Sequence, residues 1–123
     1  GNITDCQVDN AQITVVPNMV NGSYDNGDKA GGIVGYVGES SYSIANNKVT
    51  NTTIRAYRDL GGIAGCVQGT STVTANEGSN ITIICDQQTN SYGAKDTNAG
   101  AVVGRTSVDL STNNVSATID YLL

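Results

Sequence analysis

A short glycine block recurs along the chain: Gly31-Gly32-Ile33-Val34-Gly35-Tyr36-Val37, Gly61-Gly62-Ile63-Ala64-Gly65-Cys66-Val67 and Gly100-Ala101-Val102-Val103-Gly104. Self-similarity at a spacing of tens of residues marks an architecture in which one unit cannot bury its apolar face alone and stacks on its neighbours. The blocks begin at residues 31, 61 and 100, spacings of 30 and 39. A second match follows each block. Residues 44–54 align without a gap on 3–13 and on 73–83, and a weaker copy, 110–119, needs a one-residue deletion while keeping Asn113 and Val115. An insertion at 85–99 accounts for the longer spacing, and a similar one, 17–30, follows the first copy. The reading is one domain of four units, about 1–30, 31–60, 61–99 and 100–123, the first without a glycine block.

Each unit offers three short apolar segments separated by Gly, Asn, Asp or Ser; in the second they are 33–37, 42–49 and 52–56. Val and Ile supply nearly all the large aliphatics, and 14 threonines join them, a composition that favours pleated strands. No window holds the i, i+3, i+4, i+7 stripe of a helix, and turn formers recur every few residues. Three strands per turn predict an all-β fold, a short parallel β-helix (β-solenoid) of about four rungs, roughly 15–20 Å tall at the usual strand separation. A β-sandwich is the alternative, weakened because its strands need no in-register repeat.

Within such a stack the recurring residues acquire roles. Ile3, Ile44, Val73 and Leu110 would form one inward apolar column, and Ile13, Ile54, Ile83 and Ile119 another. Asn10, Asn51 and Asn80, or else Asn47, Asn76 and Asn113, would form ladders at corners, where side-chain amides satisfy turn backbone. Gly31, Gly32, Gly35, Gly61, Gly62, Gly65, Gly100 and Gly104 would either turn the chain with positive φ or let neighbouring layers approach closely. A core without Phe or Trp must be thin and aliphatic.

A net charge of −5 with six scattered Lys and Arg disfavours nucleic acid and anionic membrane surfaces as partners, and no apolar run approaches the ~20 residues needed to span a bilayer. Cys6, Cys66 and Cys85 cannot all pair with one another; they read as small buried hydrophobes, with one disulfide and a leftover thiol as the alternative, and not as metal ligands, since CxxC spacing and histidine are both missing. Without histidine there is no serine triad. Carboxylate pairs remain as the catalytic alternative of a polysaccharide-acting β-helix enzyme, with Asp25, Asp28, Asp86, Asp96, Glu39, Asp59 and Asp109 as candidates, but their spacing sets no pair at a hydrolytic separation. No catalytic residues, metal or cofactor are assigned. The oxygen-rich stretch 21–28 fails the EF-hand pattern at its sixth and twelfth positions and reads as an Asx-rich turn.

Insertions at one corner of a stack lie on one face, often the binding face. Tyr24, Asp25 and Asp28 in the first and Tyr92 and Asp96 in the second are therefore the candidate binding residues, because tyrosine can stack on a sugar or anchor a protein contact with its hydroxyl in water. Expected partners are a host or bacterial glycan or surface protein. Open ends of a stack expose strand edges, so end-to-end or edge self-association is also expected, with 119–123 a candidate cap or docking strand.

At the repeated Gly-Gly-Ile-Val-Gly-Tyr-Val and Gly-Gly-Ile-Ala-Gly-Cys-Val, followed by Ile-x-Asn-Asn-x-Val-x-Asn, the chain resembles the GLUG repeats of bacterial surface proteins. The resemblance covers most of 31–119. It implies layers of a β-helical stalk of the kind found in secreted adhesins and in non-catalytic regions of immunoglobulin A-cleaving metallopeptidases. It also implies a bacterial cell-surface or extracellular location, and it transfers no functional residues.

Overall fold

The computed structural model describes residues 1–16, 18–20, 23–26, 29–86 and 97–122, with 18–20 and 23–26 described by their backbone course. Every described regular element is a strand. The first unit supplies β1 (Ile3–Thr4), β2 (Gln7–Asp9), β3 (Gln12–Thr14), β4 (Asn18–Val20) and β5 (Ser23–Asn26). The second supplies β6 (Lys29–Gly31), β7 (Val34–Ser40), β8 (Ser43–Ala45) and β9 (Lys48–Ala56). The third supplies β10 (Asp59–Gly61), β11 (Ala64–Gly69), β12 (Thr72–Thr74) and β13 (Glu77–Asp86), and the fourth β14 (Asn98–Gly100), β15 (Val103–Thr106) and β16 (Asn114–Leu122).

Successive units pair strand on strand, in parallel. The sheets run β1-β8-β12, β6-β10-β14, β7-β11-β15 and, for the fourth, β2 and β3 on β9, then β13 and β16. Ile3 stands opposite Ile44 and Ile44 opposite Val73; Ile13, Ile54, Ile83 and Ile119 are partners in sequence. Both expected columns are therefore in register, although Leu110 packs against the core without joining a strand. The deletion in the fourth unit falls where β13 and β16 slip register, between Gly78 and Ile81. Parallel pairing in four of the five sheets is not the antiparallel arrangement of an immunoglobulin-like sandwich.

Two details correct the sequence reading. The middle units carry four strands rather than three, because the residues ahead of each glycine block pair as well: Lys29, Asp59 and Asn98 are partners, as are Ala30, Leu60 and Ala99. Apart from Leu60 those residues are short or polar, and they carry no alternation to mark them. The insertions are correspondingly narrower than 17–30 and 85–99, since Lys29 and Ala30 lie in β6, Cys85 and Asp86 end β13, and Asn98 and Ala99 begin β14.

All four parallel sheets feed one core. Ile44 and Val73 come from the first, Leu60 and Ala30 from the second, Ala64, Val67 and Val103 from the third, and Val49, Ile54, Ile81 and Ile83 from the fourth. Burial is deepest in the third unit, which has a neighbour on both sides, and declines at Ile3, Ile13 and Ile119 in the outer units. The left-handed backbone region recurs at two equivalent places in each of the first three units: Asp5, Asn46 and Ala75 (φ 58°, 57° and 54°) between strands, and Asn10 (φ 57°) between β2 and β3 with its counterparts Asn51 and Asn80 (φ 51° and 52°) inside β9 and β13. Asn and Asp tolerate that region better than other side chains, so the recurring asparagines mark corners.

The block glycines serve the second of the two expected roles. Gly69 is the one described glycine with positive φ; Gly31, Gly32, Gly61, Gly62, Gly65, Gly100 and Gly104 are instead closely approached by backbone. A Cβ on Gly65 would lie 2.6 Å from the Gly35 carbonyl oxygen and 2.8 Å from Ala30 N and Asp59 O.

Candidate functional site

Of the residues expected to bind, Tyr24 and Asp25 lie on β5, which pairs antiparallel with β4, Met19 opposite Tyr24 and Val20 opposite Ser23. The first insertion thus leaves the parallel stack and makes a hairpin of its own. Nothing further is described of those two side chains, and Asp28, Tyr92 and Asp96 lie outside the described residues.

The recurring asparagines are occupied structurally. In the inner ladder, Asn47 Nδ2 donates to Asn76 Oδ1 at 2.9 Å and Asn76 Nδ2 to Asn113 Oδ1 at 2.8 Å. The second amide hydrogens reach the Ile3, Ile44 and Val73 carbonyls at 3.1, 3.0 and 2.8 Å. The backbone N–H groups of Cys6, Asn47 and Asn76 each donate, at 3.0 Å, to the Oδ1 of the asparagine one layer on. Asn76, buried, uses two donors and two acceptor interactions, the full capacity of a side-chain amide. The other alternative exists too, but on the surface: Asn80 Nδ2 donates to Asn51 Oδ1 at 2.6 Å, and Asn51 Nδ2 to Asp9 rather than Asn10, at 2.9 Å. Thr50 Oγ1 adds a 2.7 Å bond, and the two hydrogen bonds hold the Asp9 carboxyl below its ordinary value.

Three of the acidic residues weighed as catalytic candidates, Asp59, Asp86 and Asp109, are engaged in hydrogen bonds as well. Asp59 is wholly buried and accepts from Arg105 Nε and Asn98 Nδ2, both at 3.1 Å. Asp86 accepts two 2.7 Å bonds from the Arg55 guanidinium, which raise the Arg55 pKa. Asp109 closes a turn onto Ser111 N and Oγ at 2.9 and 3.1 Å and is held low by them. Among the described residues no three His, Cys, Asp or Glu side chains gather in a metal-holding group.

All three cysteines are free thiols, but one differs from expectation. Cys66 and Cys85 are buried; Cys6 is exposed, because it belongs to the outermost unit and nothing described covers it. It takes the ladder place that Asn47 and Asn76 hold in the next units. Burial pushes the Cys85 thiol up to about 11, with the Asp120 and Asp86 carboxylates adding to the rise. A thiol reagent at pH 8 is expected to titrate one cysteine per native chain and all three in denaturant. Two or more native thiols reacting at one rate would contradict this burial.

Sequence reasoning passed over one concave region. At the first unit's end of the stack a shallow cavity of about 320 Å³ is lined by Ile3, Val34, Tyr36, Val37, Tyr42 and Ile44. Tyr36 and Tyr42 are 51% and 40% exposed there, and Tyr36 Oη donates to Gln68 at 2.8 Å. Lys29 Nζ sits 5.5 Å from the Tyr36 ring centroid, within cation–π reach. The tyrosines were visible in the sequence; their convergence depends on which layer is outermost. No family model matches the chain, and comparison with curated proteins and with solved structures gave no match.

Proposed function

We propose that the chain is a β-solenoid module of about four stacked layers from a bacterial surface or secreted protein. It acts as a non-catalytic spacer or adhesive stalk that meets a glycan or surface protein through its two insertions. The observation that carries this reading is a division of labour. Residues that recur from unit to unit are used in stacking: glycines under passing backbone, asparagines in a saturated ladder, Val and Ile in the core. The stretches that break the repeat carry Tyr24 and Tyr92. Engagement of Asp59, Asp86 and Asp109 in hydrogen bonds and turns favours this over the polysaccharide-acting enzyme, which needs two carboxyls held across a groove. The likeness to GLUG repeats supports the surface location.

The test is a glycan and extracellular-matrix array probed with the protein and with a Tyr24→Ala, Tyr92→Ala double variant. Saturable binding, reduced at least tenfold in the variant, is the expected result. Binding unchanged in the variant would remove the insertions from the site, and an array without signal would reduce the reading to a spacer.

A further inference from the structure

On the β7-β11-β15 sheet one column does not repeat. Val34, Ala64 and Val103 are partners there and alike, as the stack requires, whereas Tyr36 stands opposite Cys66 and Cys66 opposite Arg105. Cys66 is 1% exposed and Tyr36 51%, and the Arg105 side chain is 48% exposed. A small side chain is therefore sunk between two large ones, whose strands lie about 10 Å apart across two layers. Between β11 and β15 this trough widens into a cavity of about 350 Å³, lined by Glu39, Cys66, Gln68, Arg105, Thr106 and Ser107 among others.

Both walls are held in place. Tyr36 Oη donates to Gln68 Oε1 at 2.8 Å, and Lys29 Nζ stands 5.5 Å from the ring centroid. Arg105 Nε donates to Asp59 Oδ2 at 3.1 Å. Asp59 is wholly buried and accepts from Asn98 Nδ2 as well, so it positions the guanidinium from beneath. Side chains fixed in this way lose little freedom when a ligand arrives.

We propose that this trough binds a neutral hexopyranose of a glycan. The apolar C–H face of the sugar stacks on the Tyr36 ring, which keeps its hydroxyl in the polar rim. Neighbouring sugar hydroxyls need donors and acceptors side by side. Arg105 donates, Glu39 accepts, and the Gln68 amide N–H groups donate while Tyr36 occupies the amide oxygen. Glu39 beside Arg105 leaves the lining without net charge, and a chain of net charge −5 repels acidic glycans. The volume is that of a small-ligand site, and the polar lining lacks the apolar centre of a protein interface. The inference takes from the proposed function only that a glycan is met, and it puts a contact on the stack itself as well as on the insertions.

The test is an array of neutral glucose-, galactose- and mannose-terminated oligosaccharides printed beside sialylated and sulfated ones. It is probed with the full chain, with Tyr36→Ala, Tyr36→Phe and Glu39→Gln, and with the Tyr24→Ala, Tyr92→Ala double variant. Saturable binding to a neutral series is expected, weakened at least tenfold by Tyr36→Ala and about threefold or more by Glu39→Gln. Tyr36→Phe keeps the ring and is expected to stay within about threefold of the parent. Titrating the strongest neutral oligosaccharide into isotope-labelled protein should shift the amides of 66–69 and 105–107. Stronger binding to the acidic series, a Tyr36→Ala protein that binds like the parent, or shifts confined to other residues would overturn the proposal. Binding lost only in the double variant would overturn this site and leave the insertions standing; binding lost only in Tyr36→Ala would do the reverse.

Discussion

Gly65→Ala is expected to cost about 3 kcal/mol or more of folding free energy, enough to leave a domain of ordinary stability largely unfolded on mild heating. The added methyl group would sit 2.6 Å from Gly35 O and 2.8 Å from Ala30 N and Asp59 O. All three are backbone atoms, held by the parallel pairing of β6 with β10 and β7 with β11, so no side chain can rotate away. Relief requires neighbouring layers to separate, which breaks interlayer hydrogen bonds. The matched control is Gly35→Ala, where, among the described residues, the Lys29 carbonyl at 3.1 Å is the nearest obstacle. Urea titrations of the two variants should differ widely at the midpoint; equal midpoints would mean that the layers are not in the close contact described.

Asn76→Ala is expected to destabilise by about 3–5 kcal/mol, from several buried partners losing their only side-chain mate at roughly 1–3 kcal/mol each. The Ile44 carbonyl, Asn113 Oδ1, the Asn47 backbone N–H and one Asn47 amide hydrogen are all left without it. Asn76→Asp keeps the volume and the acceptor but points a carboxylate at two oxygens. Burial raises the folded pKa of that acid above its unfolded value, so the folded state binds the extra proton and stability falls as pH rises through that range. Thermal melts across pH should show Asn76→Asp recovering toward acid while Asn76→Ala does not. A change of less than 1 kcal/mol in Asn76→Ala would remove the ladder from the forces holding the stack.

The columns of Ile3 with Ile44 and of Ile13 through Ile119 were legible because a repeat in sequence and a parallel stack share one register: whatever recurs stands opposite itself. The deletion at 110–119 likewise reappears as a register slip. The fourth strand was hidden because Lys29-Ala30, Asp59-Leu60 and Asn98-Ala99 share neither charge nor size; their pairing follows from position. The choice between close approach and positive φ at the glycines could not be made from composition, because it depends on backbone that lies about 30 residues away in sequence. Asparagine took the positive φ. Cys6 and the tyrosine-lined cavity were missed for one reason: burial in a stack depends on which unit is outermost, and every unit looks alike in sequence. Of the insertions the sequence marked the places, but not the hairpin of β4 and β5, whose strands lack clear alternation.

The most direct measurement of the in-register stack is a set of methyl–methyl nuclear Overhauser effects among the isoleucines of the largest sheet. Ile13 should see Ile54, Ile54 should see Ile83, and Ile83 should see Ile119, with no cross-peak between Ile13 and either Ile83 or Ile119. A direct Ile13–Ile119 contact, or the absence of the Ile54–Ile83 cross-peak in a folded sample, would contradict the parallel order on which both proposals depend.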